Sequence, residues 1–178
     1  MAFSISDAYY SLLAKIESNN QPQVKAKSSS ASGLYQFVKS TAQSLGLPWG
    51  NDPTKAFGGA SVSVAQQDTA IKKLTTQNAT YLDKLGIAIN NATLYAAHFL
   101  GVGTAGKLLK ADPNSSAAAI AGPAAVSANP TIFTPGLTVQ GFFNWLQKKT
   151  GAAVNSGASA QQVTERCPSC GHVFNTGG

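Results

Sequence analysis

Few side chains in this chain can hold or release a proton near neutrality, and each falls in a distinctive setting. Seven carboxylates stand against 13 Lys and Arg in 178 residues, and the only glutamates are Glu17 and Glu165. Glu17 ends an apolar stretch and precedes a Ser/Asn-rich one. A carboxyl in that setting is partly desolvated, which raises its pKa and lets it keep a proton near pH 7. A general acid acting on a glycosidic oxygen needs that property. The plain alternative is a solvated glutamate in the last turn of a helix, slightly disfavoured by the dipole. A two-carboxylate mechanism would need a partner about 5–10 Å away. Asp7 lies ten residues earlier on the same expected helix, roughly 15 Å off, and only Asp52, before Pro53, stays open as that partner.

Other polar and aromatic groups carry two readings each. Gln36 offers an amide donor and acceptor, or is a solvent-facing helix residue. Tyr95 lies in a very apolar stretch, where a buried phenol needs a partner. His98 follows one turn later on the same face, either as part of a polar network with Glu17 or as a satisfied core histidine. Tyr35, Phe99 and Phe133 are stacking surfaces for rings or core residues. Ser18 is a site residue or a turn hydrogen-bonder. At the other end of the chain, Cys167-Pro168-Ser169-Cys170-Gly171-His172 has the form of half a metal knuckle. Cys167, Cys170 and His172 supply at most three ligands for a structural zinc, and the alternative is a redox-labile dithiol. No cofactor enters the acid chemistry, two cysteines make no disulfide framework, and so few acids exclude an acidic metal cage.

The elements that must position these groups read as all-α. Tyr9, Leu12, Leu13 and Ile16 recur at helical spacing over Ser6–Ile16, with Ser6 as a cap. Pro22 and the polar stretch Asn19 to Ser32 predict a loop, and a helix is expected from about Ser32 to Leu45, burying Leu34, Phe37, Thr41 and Leu45. The longest helix is expected over Ser61–Leu85 with a stripe of Val64, Ile71, Leu74, Asn78, Leu82 and Leu85. A short apolar helix follows at Asn91–Leu100. Thr104 and Ser115 then cap helices over Ala105–Lys110 and Ser116–Ala121. Pro123, Pro130 and Pro135 interrupt the next stretch, and Thr138 caps a last amphipathic helix bearing Phe142, Phe143 and Leu146. Residues 1–150 form the expected folded domain, 151–166 a linker without charge or stripe over most of its length, and 167–178 the Cys knuckle and tail.

The motifs in order are Glu17-Ser18 with Pro22 nearby, Gly33-Leu34-Tyr35-Gln36-Phe37, and Leu94-Tyr95-Ala96-Ala97-His98-Phe99-Leu100-Gly101. This order resembles the soluble lytic transglycosylase family, whose fold is related to goose-type lysozyme. Tyr35 stands where the family has Met, and Ala96 where it has Asn. Both departures, with Ala128-Asn129-Pro130-Thr131-Ile132-Phe133, are similar to bacteriophage virion and tail members. The resemblance spans about Leu12 to Leu146. It implies Glu17 as single acid/base at a MurNAc–GlcNAc bond, closing a 1,6-anhydro product, with Ser18, Tyr35, Gln36, Tyr95 and His98 in support and the Tyr95 hydroxyl touching the carboxyl. It implies peptidoglycan as substrate and phage tail or baseplate chains as partners. The alternatives are a lysozyme-type muramidase using water, or a virion hub or plug with degenerate activity.

Composition bounds these readings. Charged residues are 11% of the chain, below the roughly 25% usual in soluble domains. The basic surplus is almost all Lys, whereas specific nucleic-acid readers lean on Arg; attraction to anionic wall polymers or solubility alone accounts for it. No apolar run is long enough to span a bilayer. The start lacks a signal-peptide pattern, so the expected route is synthesis in a host cytoplasm and delivery to the wall in a virion.

Overall fold

The computed structural model describes residues 4–154; the expected linker beyond Val154 and the Cys167–Cys170–His172 knuckle lie outside those residues. Among the described residues there are eight α-helices, α1 (Asp7–Ser18), α2 (Lys39–Ser44), α3 (Val64–Lys84), α4 (Asn91–Leu100), α5 (Val102–Leu109), α6 (Ala117–Ala121), α7 (Pro123–Ala128) and α8 (Val139–Thr150), with a 3-10 turn at Ala56–Gly59. The described residues are all-α, with isolated bridges in place of strands. No helix among them is long and apolar enough to cross a membrane.

Local chemistry sets most of the boundaries. Ser63 and Gln66 form a reciprocal capping box that starts α3, and Asn90 with Thr93 does the same for α4; each satisfies backbone donors the helix leaves free. Thr138 Oγ1 accepts from Gly141 N at 3.1 Å to open α8. Ser6 sits at the N-cap of α1, but its side chain makes no capping bond. The helix ends where Asn19 and Asn20 turn left-handed, at φ 53° and 63°, a conformation Asn tolerates better than most residues.

The expected helices at 105–110 and 116–121 shift slightly. Gly101, at φ 77°, ends α4 and opens α5 at once, so α5 begins ahead of Thr104. Ser116, not Ser115, caps α6. Pro123 does not merely interrupt the chain: it occupies the first turn of α7, where a missing N–H costs nothing.

The larger correction is the helix expected over residues 32–45. Only Lys39–Ser44 is helical. Residues 25–37 instead form a folded ribbon, bridged Lys25 to Ser32 and Ser32 to Phe37. Gly33 at φ 79° and Gln36 at φ 48° are left-handed, which no right-handed helix accommodates. Leu34 and Phe37 are buried as expected, but from the ribbon.

A side chain of α3 imposes that shape. Gln67 is fully buried. Its Oε1 accepts from Leu34 N at 2.7 Å, and its Nε2 donates to Pro22 O at 3.1 Å. Gly33 lies against this amide, and a Cβ there would collide with Gln67 and the Phe57 ring. The expected α3 stripe holds at Ile71, Asn78 and Leu82, while Val64 is 46% exposed and Gln67 and Thr75 take buried places among the apolar residues.

The core gathers around α4, which packs on α3, α5 and α8. Ala92, Ala96 and Ala97 let those neighbours approach closely, and all are at most 2% exposed. Phe142, Phe143 and Leu146 of α8 are buried as the sequence predicts.

Replacing Gln67 by Ala strands a buried N–H and a buried carbonyl. Urea denaturation of Gln67→Ala is expected to show a loss of about 2–4 kcal/mol, with an unchanged curve refuting the role given to this amide.

Candidate active site

Glu17 is the penultimate residue of α1 and projects into a cleft of about 640 Å³. Besides Glu17, the walls come from four places: Ala31, Gln36 and Phe37 of the ribbon, Val38 and Thr41 at the start of α2, Leu74 and Asn78 of α3, and the end of α4 with the start of α5. Glu17 is the only carboxylate among the residues that line it.

Burial pushes the Glu17 carboxyl up to about 7, opposed by the Tyr95 hydroxyl and by the positive charge of Lys149 on α8. Apolar walls make the charged form costly, and the side chain is only 16% exposed. Oε1 is buried with no hydrogen-bond partner. Tyr95 bears on the carboxyl without closing a hydrogen bond on that oxygen. Such contacts commonly tighten when substrate fills a site.

His98 Nε2 stands 3.9 Å from Glu17 Oε1. Burial pulls the imidazole down to about 4, opposed by the Tyr35 main chain. Both members of the pair are therefore driven toward their neutral forms, and this is not an ion pair at pH 7. Tyr95 itself is pushed well above the usual phenol range, by burial first and then by Glu17.

Tyr95 also anchors an aromatic layer. Its ring stacks on Phe99 at 6.0 Å and lies 5.9 Å from Trp145. Phe99 reaches the cleft. Phe133 is 4% exposed and stacks on Phe142 at 5.9 Å, so it belongs to the core.

The remaining expected site residues divide. Gln36 lines the cleft from a left-handed turn, not from a helix. Its Nε2 donates to Gly33 O at 2.9 Å, leaving Oε1 as the free end of the amide. Ser18 and Tyr35 do not line the cleft. Ser18 Oγ donates to Ala14 O and accepts from Gln21 N, closing the turn after α1. The Tyr35 hydroxyl donates to Asp68 Oδ1 at 2.7 Å in a separate depression. Asp52 is also outside the cleft; it accepts from Thr54 N and Oγ1 beside Lys55.

Asn78 and Tyr9 were not among the expected site groups. Asn78 lines the cleft from a buried position on α3. An amide in the middle of an otherwise apolar stripe was the signal available for it. The Tyr9 hydroxyl is buried without a partner and feels the Glu17 charge; nothing in the α1 stripe separated it from a core aromatic.

Residues 2–118 match the family model of the transglycosylase SLT domain. The match covers well over half of the chain and contains every residue of the cleft, and the chain belongs to this family. Its activity is accordingly of the lytic transglycosylase type, glycosidic-bond cleavage in peptidoglycan. The match ends in α6, so the Ala128–Phe133 block and α8 lie beyond it.

Glu17 rises from an ordinary 4.5 to about 7, so the stability tied to its proton is complete below pH 4.5 and lost as pH climbs through 7. His98 has the opposite slope: its contribution is complete above 6.5 and lost as pH falls through about 4. Glu17→Gln removes the first effect and is expected to be about 3 kcal/mol more stable than wild type at pH 8 and equal to it below pH 4.5. Paired urea titrations at the two pH values check this. In Tyr95→Phe the carboxyl loses its opposing hydroxyl, so its midpoint should move up by about one unit in a carbon-13 titration; a fall would contradict the arrangement.

Proposed function

We propose that Glu17 alone serves as acid and then base in a non-hydrolytic cleavage of the MurNAc–GlcNAc β-1,4 bond. The observation that carries this reading is a cleft whose lining holds one carboxylate, desolvated enough to keep its proton near neutrality. The protonated carboxyl donates to the glycosidic oxygen as the bond to C1 of MurNAc breaks, and GlcNAc leaves with a new hydroxyl. The carboxylate then takes the proton of the MurNAc 6-hydroxyl, whose oxygen bonds to C1. Glu17 ends protonated, and no water is consumed. The N-acetyl group of MurNAc stabilises the cationic centre in place of a second carboxylate, with Asn78 and the free Oε1 of Gln36 as its polar neighbours. Neutral His98 keeps the Glu17 pocket uncharged, and Phe99 offers a sugar-facing ring.

The biological setting we propose is cell-wall penetration by a bacteriophage virion. Support comes from Gly33-Leu34-Tyr35-Gln36-Phe37 and Tyr95-Ala96-Ala97-His98-Phe99-Leu100-Gly101, which resemble the motifs of virion members. The tail would then dock on other tail or baseplate chains, with Cys167, Cys170 and His172 as ligands of a structural zinc. Immunogold labelling of purified particles checks the location, and unlabelled tails would remove it.

Digested peptidoglycan analysed by mass spectrometry is expected to carry 1,6-anhydro-MurNAc ends, whereas reducing ends alone would establish a hydrolase. Glu17→Gln should lower product release by about 10²–10⁴-fold. Since the acid form is lost as pH rises, kcat/KM should fall above about pH 7.

A further inference from the structure

A second cavity of about 420 Å³ lies on the other side of the ribbon. Four of the twelve lysines of the chain line it, Lys25, Lys27, Lys39 and Lys55, with Asp52 as the one acid and Trp49 as the one aromatic. Lys55 is paired with Asp52 at 3.3 Å. Lys25 Nζ is held by the carbonyls of Ala26 and Ser29, each at 3.0 Å. Lys27 and Lys39 have no ion-pair partner among the described residues, and the indole N–H of Trp49 has no acceptor there.

The cavity has a rigid floor. Phe57 is completely buried at φ 52°, a costly conformation for a bulky residue, and packs edge-to-face on Trp49 at 5.7 Å. Gly50 N donates to Phe57 O at 2.9 Å and Asp52 N to Gly58 O at 2.9 Å. A side chain at Gly50 or Gly58 would strike the opposite backbone.

Its position relates it to the Glu17 cleft. Ala31 and Val38 line the cleft; their immediate neighbours Ser30 and Lys39 line the basic cavity, and Lys39 N donates to Ser30 Oγ at 3.0 Å. The two cavities therefore share one stretch of chain as a common wall. An extended peptide advances about 3.3 Å per residue, so a four-residue stem reaches about 13 Å from the sugar that carries it.

We infer that this cavity binds the carboxylates of the peptide stem carried by MurNAc, so that the enzyme reads the peptide as well as the glycan of its wall substrate. The inference rests on the peptidoglycan reading of the cleft and adds a subsite to it. Lys27 and Lys39 meet the carboxylates, and the Trp49 indole donates to a peptide carbonyl while its ring covers the stem. These are charge-assisted contacts at an exposed site, each modest alone. Their summed effect is to raise affinity for peptide-bearing strands.

The test uses the full chain and two probes, a stem tetrapeptide with free carboxyls and the same peptide with every carboxyl amidated. Chemical-shift titration should show the free acid binding about tenfold more tightly than the amide, and Lys27→Ala/Lys39→Ala losing that preference. Equal binding of the two peptides, or tighter binding of inorganic phosphate than of the acid peptide, would overturn the inference. In turnover, the ratio of kcat/KM on peptide-bearing strands to that on amidase-stripped strands should fall about tenfold in the double variant, through KM. A ratio unchanged from wild type would also overturn it. If no strand is cleaved while the lysine-dependent peptide binding persists, the cavity keeps its assignment and the Glu17 chemistry is lost instead.

Discussion

One buried amide, that of Gln67, determines how the front of the molecule is built. It fixes Leu34 N and Pro22 O with opposite ends of the same group, so two points of an irregular segment are held against a regular helix. A helix is a rigid reference, and the ribbon and the turn before it inherit that rigidity through two hydrogen bonds, one buried and one part-buried. Gly33 is required beside it because no Cβ fits. The left-handed turn at Gln36 then falls at the mouth of the cleft that contains Glu17.

The chemistry of the cleft follows from what surrounds Glu17 more than from what touches it. Apolar walls, a neutral imidazole and a phenol surround the carboxyl, and the nearest influence of positive charge comes from Lys149 on another helix. The carboxyl stays near 7 because its burial outweighs the Tyr95 hydroxyl and the Lys149 charge that favour the ionised form. Three buried polar atoms lack partners among the described residues, Tyr9 OH, Glu17 Oε1 and His98 Nδ1. Groups left unsatisfied in a folded interior are costly, and here they belong to side chains at or electrostatically coupled to one cleft.

Regular elements were legible in the sequence because each carries its own start and stop chemistry. Asn90 with Thr93, Thr138 and the glycine after α3 mark ends that period alone would blur, and α4 and α8 fall where their residues predict. The region 32–37 was not legible. Leu34, Phe37 and Thr41 have helical spacing, yet the segment is shaped by a contact with Gln67, more than thirty residues away. Hydrophobic period records burial, and a buried ribbon satisfies it as well as a buried helix does. The same limit applies to the site: Glu17, Tyr95 and His98 stand out by residue type in apolar helices, and Gln36 by its motif. Asn78 and Tyr9 acquire meaning only when α1, α3 and α4 are brought together. Ser18 and Tyr35 sit in the same motifs but spend their hydroxyls on a turn and on Asp68.

The ribbon between Lys25 and Lys39 is a party wall, with the Glu17 cleft on one face and a lysine-rich cavity on the other. Neighbouring residues alternate between the two, Ser30 with Ala31 and Val38 with Lys39. Evolution therefore has no independent dial for each chamber here. A drift in one residue that widens the charged side also displaces its neighbour on the reacting side. Adaptation to a new wall chemistry is cheapest at exposed side chains off this ribbon, such as Lys55, which lines the basic cavity and not the cleft.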